Sequence, residues 1–131
     1  MFSGKDETAP FSIAAVEDYP SIRIVRLRGK IDQQTVAELE RFRKWVSKHR
    51  TFQHKHVLID FKEVTHVDTA AVAEIIQEVS ELKTERLRLG AVHLNSVVRS
   101  MFQVLKVEKL ISIYNNESEA LEDLTKNSPS Q

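Results

Sequence analysis

Residues 56–82 read HVLIDFKEVTHVDTAAVAEIIQEVSEL, and their order decides what kind of fold the chain can take. Val57, Leu58 and Ile59 follow one another without a polar break, the pattern of a strand covered on both faces. That strand runs into Asp60, a second short apolar stretch ends at Val67-Asp68-Thr69, and a helix begins at once. The helix carries Val72, Ile75, Ile76, Val79 and Leu82 on a single stripe, at spacings of three and four. A buried strand passing directly into an amphipathic helix is half of a β-α-β unit, so a parallel sheet is expected.

The alternation continues on either side. Residues 11–16 predict a first strand, closed by the turn-forming run Glu17-Asp18-Tyr19-Pro20. Residues 21–31, SIRIVRLRGKI, predict a longer one, with Val25, Leu27, Gly29 and Ile31 on one face and Arg26, Arg28 and Lys30 on the other. Asp32 or Thr35 then caps a helix over about residues 34–48. Its apolar positions are Val36, Leu39, Phe42 and Val46, and Glu40 can pair with Lys44 one turn on. Beyond residue 82, residues 87–94 predict a strand, and Asn95 or Ser96 caps a helix bearing Val98, Met101, Phe102 and Leu105. Residues 110–114 predict a last short strand and 117–124 a last helix.

The expected architecture is therefore one α/β domain over residues 11–125, with a four- to five-stranded, mostly parallel sheet and about four helices. The helices are expected mainly on one face, since the arginines of the second strand mark a face open to water. Residues 1–10 and 126–131, polar and without periodicity, are expected to be flexible tails.

Composition narrows the functions available. The 131 residues are 41% hydrophobic and 29% charged, ordinary for a globular domain with a real core. Nineteen Lys and Arg balance nineteen Asp and Glu, so no general attraction to nucleic acid or anionic lipid is expected. Without cysteine there is no disulfide and no thiol chemistry, which fits a reducing compartment. No stretch approaches the roughly 20 apolar residues of a bilayer span, and the acid-bearing start MFSGKDETAP is not a secretory signal. A cytoplasmic protein without direct membrane insertion is expected.

Thr69 is the leading candidate for a functional residue. It stands at the start of a helix, where unpaired N–H groups of Ala70 to Val72 and the helix dipole favour an anion. A phosphate there would add about −1.5 to −2 charges and three acceptor oxygens, which a bound partner would meet as new charge and bulk. The plainer reading is that Thr69 or Asp68 only caps the helix. Asp32, Asp60 and Asp68 fall at expected strand ends, the edge where open α/β sheets place ligands, and three acids could hold Mg²⁺ with a substrate phosphate. The chain has only Gly4, Gly29 and Gly90, no glycine-rich phosphate loop, and strand-end acids are read as caps and turn formers. Of the five histidines, His54 and His56 alternate on a strand and could share a metal, but no thiol or carboxylate accompanies them, so surface positions are expected. The basic run Arg41, Arg43, Lys44, Lys48, His49 and Arg50 reads as a solvated helix face. No nucleophile stands beside a recognisable base, so no catalytic residue, cofactor or metal site is expected.

Three pieces in order resemble a known family. They are Gly29-Lys30-Ile31-Asp32 before an amphipathic helix, Leu58-Ile59-Asp60-Phe61 through Val64 to Val67-Asp68-Thr69, and Leu89-Gly90-Ala91-Val92 with the helix and strand that follow. Together they resemble the STAS domain, the sulphate transporter and anti-sigma factor antagonist module, over roughly residues 11–124. The resemblance implies a non-enzymatic, bacterial regulatory module that binds an anti-sigma factor of the serine/threonine kinase type. It places the phosphorylated hydroxyl on Thr69 and the partner surface on Asp32, Asp68, Ala70, Val72 and Glu74. Relatives of another kind sit in transporters or lipid-transport complexes and bind without phosphorylation. The stretch Ala70-Ala71-Val72-Ala73-Glu74 departs from the glycine-containing sequence usual after the phosphosite, and gives a stiffer helix start.

Overall fold

The computed structural model describes residues 11–49 and 55–126, with side chains described to Trp45 in the first of these segments. In chain order the elements are β1 (Ser12–Asp18), β2 (Ile22–Ile31), α1 (Val36–His49), β3 (His56–Val67), α2 (Thr69–Thr84), β4 (Leu89–Val92), α3 (Ser96–Val104), a 3₁₀ turn (Val107–Lys109), β5 (Ser112–Tyr114) and α4 (Glu117–Lys126). The strands form one sheet in the order β1-β2-β3-β4-β5. β1 runs antiparallel to β2, and the remaining neighbours are parallel.

Each parallel pair is joined through a helix, as a crossover requires. The larger core lies between the sheet and α1, α2 and α3. It takes Val25, Leu27, Val57 and Ile59 from the strands, Leu39 from α1, Val72 and Ile75 from α2, and Val98 and Phe102 from α3. The alternate strand residues Ile22, Ile24, Leu58 and Val92 face the other way and meet Ala120 and Leu124 of α4. Val57, Leu58 and Ile59 are thus covered from both sides, which is why no polar residue interrupts them. Beyond α4 the second face opens, and Arg28 and Lys30 are exposed there. Among the described residues, no helix is long and apolar enough to cross a membrane.

Several expectations are corrected. The run over residues 56–67 is one strand of twelve residues, not a strand followed by a separate stretch, so Asp60 lies mid-strand rather than at an end. Its length is absorbed by irregular pairing with β2 between Arg26 and Arg28 and between Gly29 and Lys30. Gly29 takes φ 91° at the second of these, a backbone state that a residue with a Cβ resists. Lys126, expected in a tail, closes α4. Residues 1–10, His54, Arg50 and residues 127–131 lie outside the described residues, as do the side chains of Val46, Lys48 and His49.

Gly90 marks where β4 must pass close under another chain segment. A Cβ built there would lie 2.7 Å from Tyr114 Cε2 and 3.4 Å from Leu58 Cδ1. The Tyr114 ring cannot swing away freely, because its hydroxyl donates to Asp123 Oδ2 at 2.5 Å. Gly90→Ala is therefore expected to destabilise the fold by about 2 kcal/mol through overpacking. A urea melt checks this, and a shift near zero would mean that the β4–β5 edge yields at no cost.

Candidate functional site

The C-terminal ends of β2 and β3 bring two loops together. Asp68 is the N-cap of α2 in an extended conformation (φ −118°, ψ −173°), and Thr69 is the first helical residue. The sequence Asp-Thr left open which residue caps; only one side chain can fold back on the amides, and it is that of Asp68. Its Oδ1 accepts the N–H groups of Ala70 and Ala71 at 3.0 and 3.1 Å, and its carbonyl accepts Val72 N–H at 3.0 Å. The Thr69 side chain is left exposed, and no hydrogen bond within the described residues engages its hydroxyl.

This arrangement corrects one expectation about the helix start. The amides of Ala70, Ala71 and Val72 are not waiting for an anion on Thr69, because Asp68 already uses all three. The helix dipole still favours negative charge, but the carboxylate of Asp68 has taken that place.

Asp32 ends β2 and organises the loop into α1. Its Oδ1 accepts Gln34 N–H at 2.9 Å and Thr35 N–H at 3.1 Å, and its own N–H donates to Thr35 Oγ1 at 3.0 Å. Shielding from water pushes the Asp32 carboxyl up, but the amides of Gln34 and Thr35, the Thr35 hydroxyl and nearby Lys30 outweigh it and hold the group below its ordinary value. Asp32 is half-buried, and its second oxygen lies 3.8 Å from Lys30 Nζ. Asp68 links the loops, because its Oδ2 accepts Gln33 N–H at 2.9 Å while its N–H donates to Ile31 O at 3.1 Å.

The remaining expected surface residues divide. Ala70 is partly exposed beside Thr69. Val72 is 2% exposed and packs in the core, so it supports the site from below and cannot touch a partner. Glu74 lies further along α2, and Arg43 Nε donates to its Oε1 at 3.2 Å. Arg43 also pairs with Glu81, so this member of the basic run is buried between α1 and α2 rather than solvated.

The three strand-end acids do not converge. Asp60 is 5% exposed and sits among Arg26, His93 and the Lys62 amide, at 2.8, 2.8 and 2.9 Å. Among the described residues, no three His, Cys, Asp or Glu side chains come together in a way that could hold a metal ion. His56 is buried, not on the surface, and its Nδ1 accepts Arg88 N–H at 3.0 Å.

The sequence pattern of the STAS domain matches residues 14–120. The chain belongs to the STAS domain family. Among curated proteins, none matches this STAS domain. Solved structures resemble it throughout. An anti-sigma factor antagonist from Mycobacterium paratuberculosis is similar at 19% identity, over 92% of this chain and 98% of that one, with TM-score 0.78. The Bacillus cell fate determinant SpoIIAA in its phosphorylated form is similar at 16% identity, over 83% of this chain and 96% of that one, with TM-score 0.63. The murine anion transporter Slc26a9 in its inward-facing state contains a similar unit, at 14% identity over 84% of this chain and 18% of that one, with TM-score 0.69. At such identities the likeness speaks for the fold, a single STAS-like α/β domain, and not for one role within the family.

Proposed function

We propose that this STAS domain is a non-enzymatic regulatory module of a bacterial cytoplasm, that it binds an anti-sigma factor of the serine/threonine kinase type, and that phosphorylation of Thr69 ends the interaction. The observation that carries this reading is the exposed, unengaged hydroxyl of Thr69 on the surface that also presents Asp32 and Ala70. In the modification, the γ-phosphoryl group of kinase-bound ATP passes to Thr69 Oγ1, the hydroxyl proton is lost and ADP leaves. The amides of Ala70, Ala71 and Val72 are already held by Asp68, so the new charge adds to that of the Asp68 carboxylate where the partner must sit. Like charges brought together across an interface weaken it by several kcal/mol.

The test combines modification and binding. With the cognate kinase and ATP, mass spectrometry is expected to find a single phosphate on Thr69. Thr69→Glu is expected to weaken partner binding about 100-fold, while Thr69→Ala binds like the unmodified chain.

A second reading has one observation in its favour. The amides of Ala70 and Ala71 are locked to Asp68 and neither residue is glycine, so the helix start resists the extended form that a kinase grips. A transporter or lipid-transport complex would then hold this domain permanently. In that case Thr69→Ala and Thr69→Glu bind equally well and no phosphate is added, a result that sinks the switch.

A further inference from the structure

The two loops of the site are strapped together by a single side chain. While Oδ1 of Asp68 holds the amides of Ala70 and Ala71, its Oδ2 reaches across to Gln33 N–H at 2.9 Å. Gln33 follows Asp32, whose own carboxylate shapes the next two residues by accepting the amides of Gln34 and Thr35. We propose that Asp68 is the positioning residue through which a phosphate on Thr69 acts on the Asp32 loop. This inference rests on the Thr69 reading above and adds to it a route by which the modification reaches the second loop.

The argument is one of competition at a crowded helix start. A phosphate brings about −1.5 to −2 charges to the residue next to Asp68. Those amides are held by Asp68, so the phosphate stays in solvent and repels the neighbouring carboxylate. That repulsion pulls Asp68 away from its present bonds. The cap consists of two hydrogen bonds from the helix start, reinforced by the dipole. The strap is one hydrogen bond between exposed groups. It therefore yields first. The β-strand ends stay joined, because Asp68 N–H still donates to Ile31 O, so the change is confined to the loop after Ile31. Modification then alters the surface twice, by adding charge at residue 69 and by releasing the turn that presents Asp32.

Solvent-exchange NMR on the Gln33 amide tests this, and its Thr69→Glu arm needs no kinase. Thr69→Glu is expected to speed Gln33 exchange severalfold, and the phosphorylated chain about tenfold, the worth of one hydrogen bond to a charged acceptor. The amides of Leu58 and Ile59 are expected to stay unchanged. Asp68→Asn keeps one oxygen for the cap, at which asparagine is as good as aspartate, but offers Gln33 an NH₂ that cannot accept. In that variant Gln33 exchanges fast from the outset, and adding Thr69→Glu changes nothing further. If Gln33 exchange is the same with and without the charge at residue 69, or rises equally in the Asp68→Asn background, the strap proposal is wrong even where partner binding is lost. If no kinase modifies Thr69, the switch reading fails while the exchange result still stands or falls by itself.

Discussion

Replacing Arg26 with methionine is expected to lower the stability of the fold by about 3 kcal/mol, the low end of what breaking a buried ion pair costs. For a domain of this size that corresponds to roughly 10 °C in Tm. Arg26 is the hub of the half-covered sheet face. Its Nε donates to Glu17 Oε2 of β1 at 2.6 Å, and its Nη1 to Asp60 Oδ2 of β3 at 2.8 Å. Glu117 of α4 accepts from Nη1 and Nη2 at 2.9 and 3.2 Å. Those partners, Glu17 first, raise the Arg26 guanidinium pKa above its ordinary value. Without Arg26, Asp60 keeps its charge in a buried position with fewer groups to balance it. Arg28→Met is the control. It breaks only the exposed pair with Glu63 and is expected to cost less than about 1 kcal/mol. If the two variants melt together, Asp60 has enough support from elsewhere.

The same substitution changes the response to acid, and the sign follows from Asp60. Burial pushes its carboxyl up, but the hydrogen bonds from His93, the Lys62 amide and Arg26 outweigh that and hold it below its ordinary value. A carboxyl lowered in the folded state contributes stability that is complete above the unfolded value, about 3.9, and is lost as pH falls through the folded value. The unsubstituted chain keeps this contribution down to about pH 4. With Arg26 gone, burial meets less opposition, the folded value climbs, and the acid limb of the stability curve begins at higher pH. Urea midpoints measured across the acid range check this directly.

Phe102→Ala is expected to cost about 4 kcal/mol. Phe102 is fully buried, and its ring meets that of Phe61 edge to face, with centroids 5.5 Å apart and planes at 89°. α3 has nine residues, too short to persist by itself, and only Val98 and Phe102 are buried along it. Its first turn is held by Asn95, whose side chain caps Val98 N–H at 2.8 Å and donates to Val64 O at 2.9 Å. A loss below about 1.5 kcal/mol, read from the urea midpoint, would show that this cap and not the aromatic pair fixes the helix.

Much of this architecture was legible in the order of residues. The uninterrupted Val57-Leu58-Ile59 announced a strand with cover on both sides, and α4 supplies the second cover. The stripe from Val72 to Leu82 announced α2, and the same periodicity explains why Val72 faces inward and could not serve as a contact residue. The hydroxyl of Thr69 was correctly placed at a helix start, but two adjacent residues able to cap could not be ranked by type alone. The hub at Arg26 was not legible. Its acids stand 9, 34 and 91 positions away, and only the register of the sheet and the docking of α4 bring them together. Arg43 misled for a similar reason. It sits in a basic run on a helix with an ordinary wet face, and what makes it interior is a pair of acids on α2. The missed signal in both cases was a cation inside an otherwise alternating or amphipathic pattern, flanked elsewhere by acids of matching reach.

The irregularity in β1 has a consequence for how such molecules meet one another. β1 is an outer strand of the sheet, and its pairing with β2 slips between Ile13 and Ala15. An outer strand with even register is a template on which a foreign backbone can zip, chain upon chain. The slip at Ala14 cuts the ladder into pieces too short for that, and the charged ends of Glu17 and Asp18, tied back to Arg26 and Arg23, discourage it further. Copies of this chain lying side by side are therefore expected to stay separate along β1, without a backbone ladder running from one to the next.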